Sequence, residues 1–170
     1  KGCSATGISR AIEIGRLQRF LVEYGWETGF NPLETPDEGK NRVAVIGSGP
    51  AGLAAAAYLA RDGFCVTVFE KKPKAGGVLR YGVPEFRFAS EFLERELEDV
   101  KKLGVNIKCA SPVGEGGVDE LLSSGKYSAV FIATGLWNPY KLNIPGSNLK
   151  NVLTATEFLE MARTGKKKEL

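Results

Sequence analysis

Apolar side chains recur at Ile14, Leu17, Leu21 and Tyr24, a helical spacing, and Ile12, Phe20 and Val22 broaden the stripe. The pattern predicts a helix over 8–25 that packs against something and is stopped by Gly25 and Gly29. Asn31 to Asn41 then holds two prolines, a glycine and several charges, which reads as a linker. From about Arg42 the period changes. Val43-Ala44-Val45-Ile46 is an apolar strand, Leu53 to Leu59 a small-residue helix, and Val66-Thr67-Val68-Phe69 a second strand ending on Glu70. An irregular, glycine-rich segment follows from Lys71 to Arg87. Phe92, Leu93, Leu97, Val100 and Leu103 mark the buried side of another helix, with Gly104 as its stop. Val105 to Cys109 predicts a short strand, Ser111 to Gly117 a loop, Val118 to Ser123 a short helix and Tyr127 to Ala133 a buried strand. An Ile144-Pro145-Gly146 turn and a helix near Ala155 to Arg163 complete the chain. Strands alternating with helices imply an α/β fold with a parallel sheet covered on both faces.

The junction between the first strand and its helix carries the chemistry. It reads Gly47-Ser48-Gly49-Pro50-Ala51-Gly52, a G-x-G-x-x-G turn. Gly47 permits the tight turn, Gly49 lets backbone approach a pyrophosphate, and Gly52 lets helix and strand pack closely. The unpaired amides and positive end of the helix favour a phosphate there. Glu70, at the tip of the next strand, can accept hydrogen bonds from a ribose 2′-OH. An acid rather than a base at that point argues against a 2′-phosphate. The spacing alone leaves NAD and FAD both open.

Composition narrows the remaining choices. The 170 residues are 43% hydrophobic and 25% charged, which suits one soluble domain with an appendage. A net charge of +3, much of it in Lys166-Lys167-Lys168 and Lys71-Lys72, gives no reason to invoke nucleic acid. No apolar stretch approaches the ~20 residues that span a bilayer, and no signal-peptide h-region is visible, so a cytoplasmic protein without a membrane partner is expected. There is no histidine, which removes Ser-His-Asp triads and histidine metal ligation. Cys3, Cys65 and Cys109 are too few and too scattered for a disulfide framework. Cys65 and Cys109 read as core thiols. They form no C-x-x-C pair, which argues against a flavin disulfide reductase.

The motifs together resemble a family. Gly47 to Gly52, Glu70-Lys71-Lys72, Gly76-Gly77-Val78-Leu79-Arg80-Tyr81-Gly82-Val83-Pro84-Glu85-Phe86-Arg87, Ile132-Ala133-Thr134-Gly135 and Ile144-Pro145-Gly146 are similar to the flavin domain of the glutamate synthase small (beta) subunit family. That family includes the large subunit of NADH-dependent ferredoxin:NADP oxidoreductase and the amino-terminal half of dihydropyrimidine dehydrogenase. The resemblance implies a Rossmann-like fold with FAD on the first glycine turn. It implies Gly49, Pro50, Ala51, Gly52 and Leu53 under the pyrophosphate, Glu70 on the adenosine ribose with Lys71 beside it, and Gly77, Val78 and Leu79 near the flavin half. It also implies Arg87 as a positive partner for phosphate, Val113 meeting the adenine through its backbone, and Ala133, Thr134 and Gly135 closing over the cofactor. No side chain is expected to act as a nucleophile, because the flavin carries the chemistry.

By the same resemblance, residues 1–30 look like the helical end of an iron–sulfur domain, 31–41 a linker and 42–170 an FAD-binding domain. Cys3 and Gln18 match positions that ligate a [4Fe–4S] cluster in that family. One thiolate cannot hold a cluster, so ligation is expected only in the intact protein. Family members carry a second glycine motif for NAD(P)H after the Ile-Pro-Gly segment, and none follows here before Leu170. The expectation is therefore part of an NAD(P)H-dependent electron-transfer oxidoreductase. It would pass electrons among NAD(P)H, FAD and iron–sulfur clusters to a partner such as a glutamate synthase large subunit or a ferredoxin-type domain, and be inactive alone. The rival readings are an NAD-binding Rossmann module and a non-catalytic FAD scaffold.

Overall fold

The computed structural model describes residues 10–30, 39 and 41–165. It divides into two units, Lys1–Glu34 and Thr35–Leu170. Cys3 and most of the expected linker lie outside the described residues.

The first unit contributes helix α1, Ile14–Thr28. Gly25 sits inside it rather than ending it, since a glycine within a helix costs only about 1 kcal/mol relative to alanine. Gly29 is the true stop. Its φ of 70° is left-handed, and the Phe30 amide donates back to the Gly25 carbonyl at 2.9 Å. Residues 10–13, expected to be helical, are not. No residue of α1 is buried.

The second unit is built on four parallel strands in the order β3-β2-β1-β4. They are β1 Arg42–Ile46, β2 Cys65–Phe69, β3 Asn106–Lys108 and β4 Ala129–Ile132. The expected α/β fold with a parallel sheet is thus present. β1 lies in the middle and buries every residue from Val43 to Ile46, as a central parallel strand must. Helix α2, Pro50–Arg61, returns over the sheet. Its buried Gly52, Ala56 and Ala60 are small enough for the helix to lie close to the strands. Helix α4, Ser90–Lys102, turns Leu93 and Leu97 inward, four residues apart. These two close a core with Leu53 and Ala75, against which Leu79, Val100, Ile107 and Cys109 pack. Gly104, at φ 85°, follows the helix end as expected.

Three elements differ from the sequence pattern. The segment Lys71 to Arg87 is not wholly irregular: Gly77–Tyr81 forms a short helix, α3. The loop before α5, Gly117–Ser123, ends one residue earlier than its glycines suggest. β4 is not a buried strand; Phe131 and Ile132 are 43% and 61% exposed. Its composition is that of a central strand, but it pairs with β1 on one side and has no described strand on the other. Helix α6, Ala155–Thr164, opens with a capping box: the Thr154 hydroxyl accepts from the Glu157 amide and the Glu157 carboxylate accepts from the Thr154 amide.

Candidate cofactor site

The crevice where the strand order reverses, between the carboxyl ends of β1 and β4, is where ligands bind in open sheets of this kind. β1 ends at Ile46 and the chain turns at Gly47, φ 104°. The Gly47 amide donates to the Phe69 carbonyl and the Ala133 amide to the Ile46 carbonyl, each at 2.8 Å. These bonds tie the ends of three strands together. A methyl group on Gly47 would collide with the Ala133 carbonyl, and one on Gly52 with the Gly47 carbonyl. The first and third glycines of the motif are therefore packing requirements of the turn itself.

Gly49 is different. It precedes α2 with extended backbone, and Pro50 occupies the first helical position, where its missing amide is no loss. Leu53 is the first amide bonded within the helix, to the Gly49 carbonyl at 2.9 Å. The Ala51 and Gly52 amides thus lack intrahelical acceptors and carry the positive end of the dipole. The nearest atom to a methyl group built on Gly49 would be the Gly77 Cα at 4.0 Å, an ordinary contact. Nothing in the fold forbids a side chain there.

A cavity of about 590 Å3 opens beside this turn. Gly47, Gly49, Pro50, Ala51, Glu70, Lys71, Gly77, Val78, Val113, Ala133, Thr134 and Gly135 all line it, so residues far apart in sequence meet in one place. Gly52 and Leu53 do not; they are buried beneath the turn and in the core. Leu79 points into the core cluster. Arg87 is exposed outside the cavity, with its guanidinium 5.7 Å from the Phe86 ring centre.

Glu70 is buried, and its carboxylate is already engaged. One oxygen, Oε2, accepts from the Ser48 amide at 3.0 Å and the Ser48 hydroxyl at 2.5 Å; the other, Oε1, accepts from the Lys72 amide at 2.8 Å. A carboxylate offers about four acceptor positions, so Glu70 keeps roughly one for a ligand hydroxyl.

Several lining residues were not anticipated from the motifs. Lys72 places its ammonium 5.1 Å from the Tyr81 ring centre and 5.3 Å from that of Trp137, and it pairs with Glu160 of α6. Tyr81 is buried, and its hydroxyl both donates to the Lys74 carbonyl and accepts from the Lys74 amide at 3.1 Å. Burial pushes its phenol pKa up, against the lowering effect of the Lys74 bond and Arg80. Thr156 and Leu159 of α6 close the far wall. α6 is held there by Arg163, which donates to the Arg80 carbonyl at 2.8 Å and the Ser90 hydroxyl at 3.1 Å and pairs with Glu85. No motif marks α6 as part of a site; only its amphipathic pattern was legible.

Gln18 lies on the exposed surface of α1, and Cys3 is outside the described residues. No metal-binding group of three or more His, Cys, Asp or Glu occurs among the described residues. No helix described is long and apolar enough to cross a membrane.

A parallel sheet with a glycine turn, a helix amino terminus and a crevice at the strand reversal defines a dinucleotide-binding domain. The chain belongs to the pyridine nucleotide-disulphide oxidoreductase family, whose model matches residues 41–170. Membership implies a flavin and a pyridine nucleotide as the redox pair. It is 36% identical over 163 residues to the NAD-dependent dihydropyrimidine dehydrogenase subunit PreT of Salmonella typhimurium, covering 96% of this chain and 39% of that protein. It is 32% identical over 159 residues to the glutamate synthase [NADPH] small chain of Escherichia coli, covering 92% and 33%. Among solved structures, FprA of Mycobacterium tuberculosis in complex with NADPH matches with a TM-score of 0.63 and 26% identity, over 72% of this chain and 29% of that one. The chain thus spans under two-fifths of the length of these relatives. Cys65 and Cys109 are free thiols, so the disulphide in the family's name has no counterpart among the described residues.

Proposed function

We propose that this chain binds FAD in the 590 Å3 cavity and serves, within a longer protein, as the flavin-holding part of an NAD(P)H-dependent electron-transfer oxidoreductase. The observation that carries the reading is the pair of glycine turns facing each other there. Gly49 lines the cavity with bare backbone at the start of α2, and Gly77 packs against Gly49 backbone. A dinucleotide pyrophosphate needs such a cradle: bare backbone on two sides and amide donors at the end.

Bound FAD would supply two-electron exchange with a nicotinamide and one-electron exchange with metal centres. The chain's own residues bind and orient. The Ala51 amide, at the positive end of α2 and on the cavity wall, would hold a phosphate oxygen. Glu70 takes a ribose hydroxyl on its remaining acceptor position, and its fixed charge repels a 2′-phosphate. Val113, Val78 and Leu159 supply apolar walls that exclude water. Lys72 sets a cation beside them, neutralised by Glu160.

The wider assignment rests on the motif resemblance for the iron–sulfur ligands and on the relatives named above for a partner subunit. Cys3 and Gln18 contribute to a [4Fe–4S] cluster with ligands from elsewhere in the intact protein, and the electron acceptor is a partner subunit or domain. A cytoplasmic setting accords with the free thiols of Cys65 and Cys109.

The test is a fluorescence titration of the chain with FAD, with NADH as competitor. Saturable quenching of the flavin that micromolar NADH does not reverse is expected. Binding of NADH in preference to FAD would replace this reading with a simple NAD-binding module.

A further inference from the structure

We propose that Ser48 is the positioning residue of this cofactor cavity: one buried hydroxyl sets the Glu70 carboxylate and the Gly76–Gly77 turn in the geometry that receives FAD. The inference rests on the FAD reading above. In the G-x-G-x-x-G motif Ser48 occupies a variable position, for which the motif assigns no role.

Ser48 is fully buried, yet each of its polar atoms is used. Its amide and its hydroxyl both donate to Glu70 Oε2, at 3.0 and 2.5 Å. The Gly76 amide lies 3.1 Å from the hydroxyl oxygen and 3.1 Å from the Ser48 carbonyl. A hydroxyl has a single proton. Facing an anion, it gives that proton to Glu70, and its lone pairs are left to accept from Gly76. The direction of every bond is thereby fixed. Three segments meet on this residue: the first glycine turn, the tip of β2 and the entry to α3.

The tether matters because of what it holds. Gly76 and Gly77 adopt φ values of 124° and 52°, in the left-handed half of backbone space that only glycine enters freely. A turn of two glycines is also the most mobile kind of chain, so an unanchored Gly77 would not stay against Gly49. Glu70 is likewise held by two donors on one oxygen while the other takes the Lys72 amide, and the residue so fixed lines the cavity. Ser48 touches no ligand in this arrangement. It acts through the carboxylate and through the Gly76 amide.

The experiment is an FAD titration of the 170-residue chain and four variants: Ser48→Ala, Ser48→Thr, Glu70→Ala and the double variant Ser48→Ala/Glu70→Ala. Ser48→Ala is expected to weaken FAD binding about tenfold, equivalent to about 1.4 kcal/mol. Ser48→Thr, which keeps the hydroxyl, is expected to recover most of that loss. In the Glu70→Ala background, removing the Ser48 hydroxyl is expected to cost under about threefold, because only its bond to the Gly76 amide is left to lose and the Ser48 carbonyl still holds that amide. A merely structural serine would cost the same in both backgrounds. Wild-type affinity in Ser48→Ala, or an undiminished tenfold loss in the double variant, would overturn the proposal. Where Ser48→Thr does not fold, the double variant still decides. Failure of the unmutated chain to bind FAD would remove the FAD reading itself, a result distinct from either.

Discussion

Gly77 and Gly49, twenty-eight residues apart, touch backbone to backbone. A methyl group on Gly77 would come within 2.6 Å of the Gly49 Cα, closer than real side chains approach, and Gly77 itself sits at φ 52°. The two turns form one wall only because Gly77 carries no side chain.

Gly77→Ala is therefore expected to push the turns apart and strain the backbone at once. Thermal stability should fall by roughly 1–3 kcal/mol, the usual cost of a residue held in a sparsely populated conformation. FAD affinity should fall with it. Differential scanning fluorimetry with and without FAD checks both.

Gly49→Val is expected to separate the two effects. The site tolerates a methyl group, with its nearest contact at 4.0 Å, so the fold should survive with a near-native melting temperature. The side chain would stand where the pyrophosphate lies, and flavin content after purification should drop to background. Near-native flavin in a folded Gly49→Val protein would place the phosphate elsewhere.

Glu70→Ala should weaken FAD binding by one to two orders of magnitude, since hydrogen bonds to a charged group contribute roughly 1.5–3 kcal/mol. It should also lower stability without ligand, because the Ser48 and Lys72 amides and the Ser48 hydroxyl lose their buried acceptor. Urea unfolding of the apo protein beside an FAD titration resolves the two losses.

Arg163→Met should loosen α6. Its side chain, 7% exposed, loses the Arg80 carbonyl, Ser90 and Glu85 together. Faster amide exchange over 155–164 and a raised FAD dissociation rate are expected, with the β1 and β2 amides unchanged.

Alkaline pH should unfold the chain partly through Tyr81. Its phenol pKa is raised by burial in the folded state. The folded protein therefore holds that proton more tightly than the unfolded chain. The associated stability is complete below the ordinary tyrosine range near 10 and is lost as pH rises through the folded value. Tyr81→Phe should flatten the decline of melting temperature between about pH 9 and 12, while lowering stability at neutral pH because the Lys74 bonds go.

Much of this was legible in the sequence, for local reasons. Short apolar runs located β1 and β2, and the glycine spacing located the turn, because both signals depend on neighbours within a few residues. Gly25 misled because a stop signal and a tolerated interior glycine look alike until the next turn is seen. β4 misled because an apolar strand does not say how many neighbours it has. Lys72 and Tyr81 stood in the motifs without a role, and the part played by α6 went unread for a deeper reason. They reach the cavity through contacts such as Lys72 with Glu160 and Arg163 with Ser90, which span some seventy to ninety residues and leave no local trace. Glu70 was read as a ligand group, but its three internal donors were invisible because Ser48 looked like filler between glycines.

The open side of β4 has a practical consequence. Its outward row of amides and carbonyls, flanked by exposed Phe131 and Ile132, is a ready template for strands of other molecules. Concentrated samples will therefore tend to associate edge to edge, through backbone pairing that no ligand at the crevice opposes. A lysine in place of Ala129, the exposed first residue of that strand, would place a charge on the sticky border. It should raise the concentration at which the chain stays monodisperse, while leaving the glycine turn at the other end of β1 untouched.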